Sequence, residues 1–359
     1  MRAESIITQC MRGLAHLLCG LGLALGMFPI ASADVQTTNR NEAVYQSSGP
    51  DRDQRLSERA KQEGVVVIYT SLAPTESQPL AQAFEKKYGV KVDLWRALSD
   101  KVVQRAVTEA QGKRYGVDVL ETNGPEMEMM AREKLLAPFR SANIADLPPA
   151  AIPPHRLWLP DRMNYFVVAF NTDKVKRDDL PRSYEGFLDP KWQGRLGMEA
   201  TDQEWMATLI KQWGPAKGEA FFEKLAAMKP DVRKGHVLLA ELVAAGEIHV
   251  GLTVYNSNAE TLKRKGAPID WIPVEPVVAR PQGIAVAKNA PHPHAALLFA
   301  DFVLSPEGQA LFESMGRVPA STRIKSRLND FKFILIEPAA VLDEAKRWDP
   351  LWDRLFLQR

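Results

Sequence analysis

Five short stretches place groups able to hold a small polar molecule directly behind apolar runs. "GLTVYNSNAE" sets Tyr255 and Asn256 after Val254, "VDVLETNGP" sets Glu121 and Asn123 before a proline, and "VVVIYTS" ends on Thr70 and Ser71. "VDLWRALSD" puts Arg96 just ahead of Ser99, and "MEATDQEW" brings Thr201 and Asp202 to the start of an apolar helical pattern. Hydroxyls, amides and carboxylates together offer donors and acceptors, and a guanidinium beside a helix N-terminus can clamp a carboxylate or phosphonate. This is the chemistry of recognition. The chain carries no G-x-S-x-G, no H-E-x-x-H and no P-loop, so no linear motif announces nucleophilic, metal-hydrolytic or nucleotide chemistry. A binding protein without a cofactor is the expectation, with an enzyme on the same fold as the competing class.

Each of these groups also has a plainer reading. Arg96 can pair with Asp100 at the surface, Asp202 can simply cap its helix, and Glu121-Thr122-Asn123 ahead of Gly-Pro can be an ordinary turn. Arg280 can be an ion-pair partner where the chain crosses between domains. The "MEMM" run at 127–130 reads as core filler. Of the histidines, only "HPH" at 292–294 forms a close pair, and its prolines suit the start of a helix rather than a zinc site.

The elements that position these residues begin after a leader. Arg2 and Arg12, an apolar run from Gly13 to Ile30 and the triplet Ala31-Ser32-Ala33 have the layout of a secretory signal cleaved after residue 33. Both cysteines, Cys10 and Cys19, fall inside it, so the exported product holds no thiol and no disulfide. With 46 basic and 44 acidic residues the chain is nearly neutral, which argues against nucleic acid or an anionic membrane as partner. The remaining length suits two domains of roughly 100–200 residues each.

Apolar runs and 3.6-residue patterns then alternate. "VVVIY" reads as a buried parallel strand. Leu80, Phe84 and Tyr88 share a helix face closed by Gly89, and "VKVDLW" is the next strand. Ser99 is placed to cap a helix carrying Val102, Val103, Ala106 and Val107, and Pro125 to open another. This succession is that of an open α/β sheet. After a proline-rich passage, "NYFVVAFNTD" and, later, "VVARPQGIAVAK" bracket a second α/β series. The reading is an α/β protein of two lobes, each an open sheet flanked by helices and joined by two hinge crossovers. Lobe one takes 64–159 plus 281–325, lobe two takes 160–280, and 326–359 forms a helical tail. A crevice at the carboxyl ends of the strands is where such sheets bind ligands.

The order "VVVIYTS…LAQAFEKKYGVKVDLWRA…VDVLETNGPEMEMMAREKLLAPF", then "FNTDKVKRDDLPRSYEGFLDPKWQGRLGM", then "GIAVAKNAPHPHAALLFADFVLSPEGQALFESMGRVP" resembles the bacterial extracellular solute-binding proteins of the ferric-iron-binding type. These are the substrate-capturing subunits of ABC importers. The resemblance implies a type II periplasmic-binding fold closing on its ligand by hinge motion, a periplasmic monomer, and an inner-membrane ABC permease as partner. It also implies Fe³⁺ as a transported ligand, held by a tyrosine pair, a carboxylate and often a histidine. Glu121 matches the carboxylate position. The loop after Tyr69, "TSLAPT", has no histidine, and Asn256 and Ser257 stand where the tyrosine pair would fall, with Tyr255 one position earlier. Ferric iron held by Glu121 and Tyr255 is therefore one expectation. A small organic anion held by Thr70, Ser71, Arg96, Glu121, Asn123, Thr201, Asp202, Tyr255 and Asn256 is the other.

Overall fold

The computed structural model describes residues 40–358; the stretch expected to be a signal sequence and both cysteines lie outside the described residues. One sheet runs through the molecule in the order Lys91–Arg96, Val65–Thr70, Val119–Asn123, Val277–Ala287, Leu159–Asn171, Val250–Tyr255, Leu196–Glu199, Asp231–Arg233. The first three strands are parallel, as are the last three. Between them the two long crossover strands, Leu159–Asn171 and Val277–Ala287, pair antiparallel with each other and with their neighbours.

Two hydrophobic cores lie on either side of these crossovers. One gathers Val66, Ile68, Phe84, Val119, Leu159, Phe299 and Phe302; the other gathers Phe166, Phe187, Met198, Trp205, Phe222 and Leu252. The expected helices form where the pattern placed them. Pro74–Tyr88 ends at Gly89, whose φ of 69° is the left-handed geometry that glycine adopts without strain. Contrary to the expectation from the sequence, Ser99 is not the cap of its helix. It is the first helical residue, Leu98 holds the cap position, and the Ser99 hydroxyl accepts from Asn123 Nδ2 at 2.9 Å.

The crossover strands alternate sharply. Arg162 and Asn164 on one strand and Arg280 and Gln282 on the other project to one face, where they line a cleft. Met163, Tyr165, Val277 and Ala279 occupy the opposite face and pack with Val318 and Leu328. Side-chain alternation with period two produces this split. Register aligns the polar set: Arg280 stands opposite Asn164 and Gln282 opposite Arg162.

Contrary to the expectation of a helical tail over 326–359, the C-terminal segment is not purely helical. Phe333–Leu335 forms a strand parallel to Val277–Ala279, because an apolar tripeptide with free backbone groups gains a ladder there. Helix Pro338–Asp343 then lies on helix Gly124–Arg132, where Arg132 Nη1 meets Asp343 at 2.7 Å. The next helix, Ala345–Trp352, packs on Gln203–Trp213, with Lys211 Nζ 2.7 Å from Glu344 and the Trp352 indole donating to the Ala200 carbonyl. The tail thus touches helices belonging to both cores.

Candidate ligand-binding cleft

Strand-to-helix turns from both halves open into one cleft of about 380 Å³. Helices starting at Pro74, Ser99 and Gly124 present their N-terminal ends from one side, and those starting at Gln203, His236 and Asn256 from the other. Free backbone N–H groups at such ends favour negative charge.

Of the nine residues expected from the sequence, Ser71, Arg96, Asn123, Thr201 and Tyr255 line the cleft. The other four lie behind its wall, and each for a stated reason. Glu121 is 3 % exposed and ion-paired with Arg162, and it accepts the Thr70 hydroxyl, so both side chains are occupied away from the cleft. Asp202, fully buried, faces Arg280 at 3.1 Å and does not cap the helix it precedes. Asn256 turns inward, donating through Nδ2 to the Leu328 carbonyl at 2.6 Å. The two carboxylates expected to meet a ligand instead neutralise arginines.

Those arginines are the main residues that the sequence reading did not place at the site. Arg162, Arg280 and Arg317 line the cleft yet are less than 10 % exposed. Arg162 binds Glu121 and Asp161, and Arg280 binds Asp202, Glu204 and the Tyr255 hydroxyl. Arg317 bonds Glu76, Ser257 and, at 2.9 Å, Asn258. Burying such ions is costly unless every charge is matched, and here the matching carboxylates sit directly behind. Burial pushes the Glu204 carboxyl up to about 7, with Arg280 pulling the other way and Glu126 and Asp202 adding to the rise. Asp161 is likewise pushed to about 7 by burial, opposed by Arg162 and reinforced by Glu121.

Arg96 differs from these three. Its Nε donates to the Leu72 carbonyl at 3.3 Å, and no carboxylate lies within ion-pair reach among the described residues. Asp100, its alternative partner, pairs instead with Lys234. Arg96, Ser99 and Asn123 line the cleft together.

Tyr255 stacks on His236 with ring centroids 3.7 Å apart. Burial holds its phenol proton well above the usual range, Arg280 opposes this, and Asp202, Glu204 and Glu199 reinforce it. The group is a neutral phenol and a poor source of phenolate. Glu199, Asp202 and His236 form the one group of potential metal ligands among the described residues, their ligand atoms lying within 4.8 Å of one another. Glu199 already accepts from Thr201 N, Thr201 Oγ1 and Gly235 N.

Comparison with known proteins bears on the fold and the family. The major ferric iron-binding protein of Neisseria meningitidis is 25% identical over 292 residues, spanning 77% of this chain and 86% of that protein. Iron-bound HitA of Pseudomonas aeruginosa superposes with a TM-score of 0.71 at 24% identity, covering 81% of this chain and 99% of that one. The periplasmic binding protein AfuA of Actinobacillus pleuropneumoniae, with exogenous fructose-6-phosphate bound, gives 0.72 at 24% identity, covering 83% and 100%. These neighbours establish the two-lobed type II periplasmic-binding fold. Residues 79–331, most of the chain, match one family along their whole length. The chain belongs to the bacterial extracellular solute-binding proteins.

Proposed function

We propose that this protein is the periplasmic solute-capturing subunit of an ABC importer. Its lobes, 64–159 plus 281–325 and 160–280, close over a small organic molecule bearing a carboxylate, phosphonate or phosphate. The carrying observation is the contrast among the cleft arginines. Three are ion-paired with buried carboxylates, whereas Arg96, in the same lining, has no ion pair among the described residues and makes one hydrogen bond, from Nε to the Leu72 carbonyl. An anion there gains charge-assisted hydrogen bonds that need no rearrangement of existing ion pairs. Leader cleavage after Ala33 would release a thiol-free monomer to the periplasm, where it would dock on its inner-membrane permease with the solute unchanged.

A metal cargo is the second reading, favoured by the proximity of Glu199, Asp202 and His236. It ranks lower because Glu199 is already saturated with donors and Asp202 faces a guanidinium. The ferric set of Glu121 and Tyr255 is weaker still, since Glu121 stands outside the cleft and Tyr255 keeps its proton.

Mass spectrometry of solute copurifying with native protein, combined with a thermal-shift screen of organic anions and ferric complexes, tests the proposal. At a hundredfold excess over Kd a true ligand adds about 2.7 kcal/mol, a visible shift. An organic anion that stabilises wild type but not Arg96→Ala is the expected result. A reddish iron charge-transfer band without any organic ligand would overturn it.

A further inference from the structure

We infer that the cleft carries an ammonium-recognising subsite at Glu126, so that its solute is an aminated anion and not a simple one. The inference rests on the reading of the cleft as a solute site and names the class of molecule that fits it.

The argument is a charge inventory of the cleft wall. Arg162, Arg280 and Arg317 are matched by buried carboxylates, and Lys234 is matched by Asp100. Three charged side chains of the lining then have no opposite charge at ion-pair distance among the described residues: Arg96, Glu126 and Glu199. Glu199 is held by three backbone and hydroxyl donors, which leaves Arg96 and Glu126, of opposite sign, for a ligand. Glu126 sits in the first turn of helix Gly124–Arg132, and its polar neighbours are the Asn123 amide and its own backbone N–H. Arg280 acts on it only through space, and Asp100 opposes its ionisation.

Glu126 is part-buried in the cleft lining, and Arg280, the cation that favours its ionised form, is not at ion-pair distance, so the carboxylate is left to take a further partner from the ligand. A simple anion gripped by Arg96 would bring a second negative charge towards it. An amino group on the same molecule would convert that repulsion into a charge-assisted hydrogen bond. The two subsites also lie on the same wall. Asn123 Nδ2 bonds Ser99 Oγ at 2.9 Å, tying the turn before Glu126 to the helix start behind Arg96. A short spacer between anion and amine is what this adjacency accommodates.

Matched probes separate this inference from the broader reading. Isothermal titration would compare 3-aminopropylphosphonate with propylphosphonate, and 4-aminobutyrate with butyrate, on wild type and on Glu126→Gln. In at least one pair the aminated member should bind wild type roughly tenfold or more tighter, as one hydrogen bond to a charged group implies. Glu126→Gln should abolish that preference while leaving the plain anion's affinity equal or improved. Which pair responds tells whether the anion is a phosphonate or a carboxylate. Equal binding of both members to wild type would overturn the ammonium subsite and leave the anion reading standing. A preference that survives in Glu126→Gln would overturn the assignment to this residue. Binding of no member of either pair would overturn both readings. The wild-type comparison stands even if the variant fails to fold.

Discussion

Lys234 Nζ lies 3.6 Å from Asp100 Oδ2, joining the two walls of the cleft. Lys234 precedes helix His236–Ala245, which packs on strand Val250–Tyr255, Asp100 lies in the first turn of helix Ser99–Gln111, and both are about half exposed. A pair so exposed contributes little to folding, about 0–1 kcal/mol. Its effect falls on separation of the walls. Lys234→Ala should therefore leave urea unfolding within about 1 kcal/mol of wild type while solute dissociation accelerates a few-fold. Stopped-flow release at low and high salt measures this, because screening should erase the difference. Identical release rates at low salt would show that the pair does not restrain opening.

The arginines should divide into two classes. Arg280→Ala strands Asp202 and Glu204 without their cation in a buried setting, which costs about 3–5 kcal/mol of stability. Arg96→Ala removes a half-solvated side chain with one backbone bond, so its unfolding curve should stay within about 0.5 kcal/mol of wild type while ligand binding is lost. Urea denaturation beside titration calorimetry distinguishes them. A large loss of stability in Arg96→Ala would make it a structural residue.

Glu204 gives stability a pH dependence of defined sign. Its carboxyl titrates near 7 in the folded protein because of burial, against an ordinary value of 4.5. Between these values the folded state holds a proton that the unfolded state has released. Stability therefore falls as pH rises from about 4.5 to about 7 and levels off above. Glu204→Gln cannot ionise, so the drop between pH 5 and 7.5 should shrink by on the order of 1–3 kcal/mol. Urea midpoints at four pH values provide the check, and an unchanged slope would place the proton elsewhere.

Trp352 is 1 % exposed, packs on Phe356 and donates its indole N–H to the Ala200 carbonyl. Trp352→Ala should cost about 3–5 kcal/mol through the cavity it leaves. Trp352→Phe should cost less, since it keeps most of the ring and loses the hydrogen bond. Thermal unfolding of the two variants would rank them, and equal losses would assign the effect to the hydrogen bond alone.

The strand-helix alternation was legible in the sequence because it depends on local pattern. "VVVIYT" could be read as a buried parallel strand without knowing its neighbours. Arg96, Asn123 and Tyr255 were legible for a related reason, as residues at the carboxyl ends of strands fall at the crevice. What the pattern could not supply was pairing at a distance. Glu121 and Arg162 are 41 residues apart, and Asp202 and Arg280 are 78 apart, so nothing local marks either carboxylate as already engaged. One signal was present: "DRMN" and "ARPQ" each carry an arginine and an amide two positions apart within otherwise apolar strands. Such alternation marks a polar face, and two facing strands with the same pattern make a shared polar floor. Glu126 left no comparable mark, because an acid in the first turn of a helix is ordinary until its lack of a partner is seen.

The C-terminal segment bears on how the cleft can move. Two adjacent crossover strands form a ribbon, and a ribbon can twist as readily as it bends. The tail adds a third tether away from that ribbon, packed on one lobe through helices Pro338–Asp343 and Gly124–Arg132 and into the core of the other through Trp348 and Trp352. Three attachments that do not share a line leave a jointed body with fewer degrees of freedom, and torsion is the first to go. Closure of the walls would then return to the same alignment each time, which is what the proposed anion site at Arg96 and the proposed cation site at Glu126 would demand of their ligand.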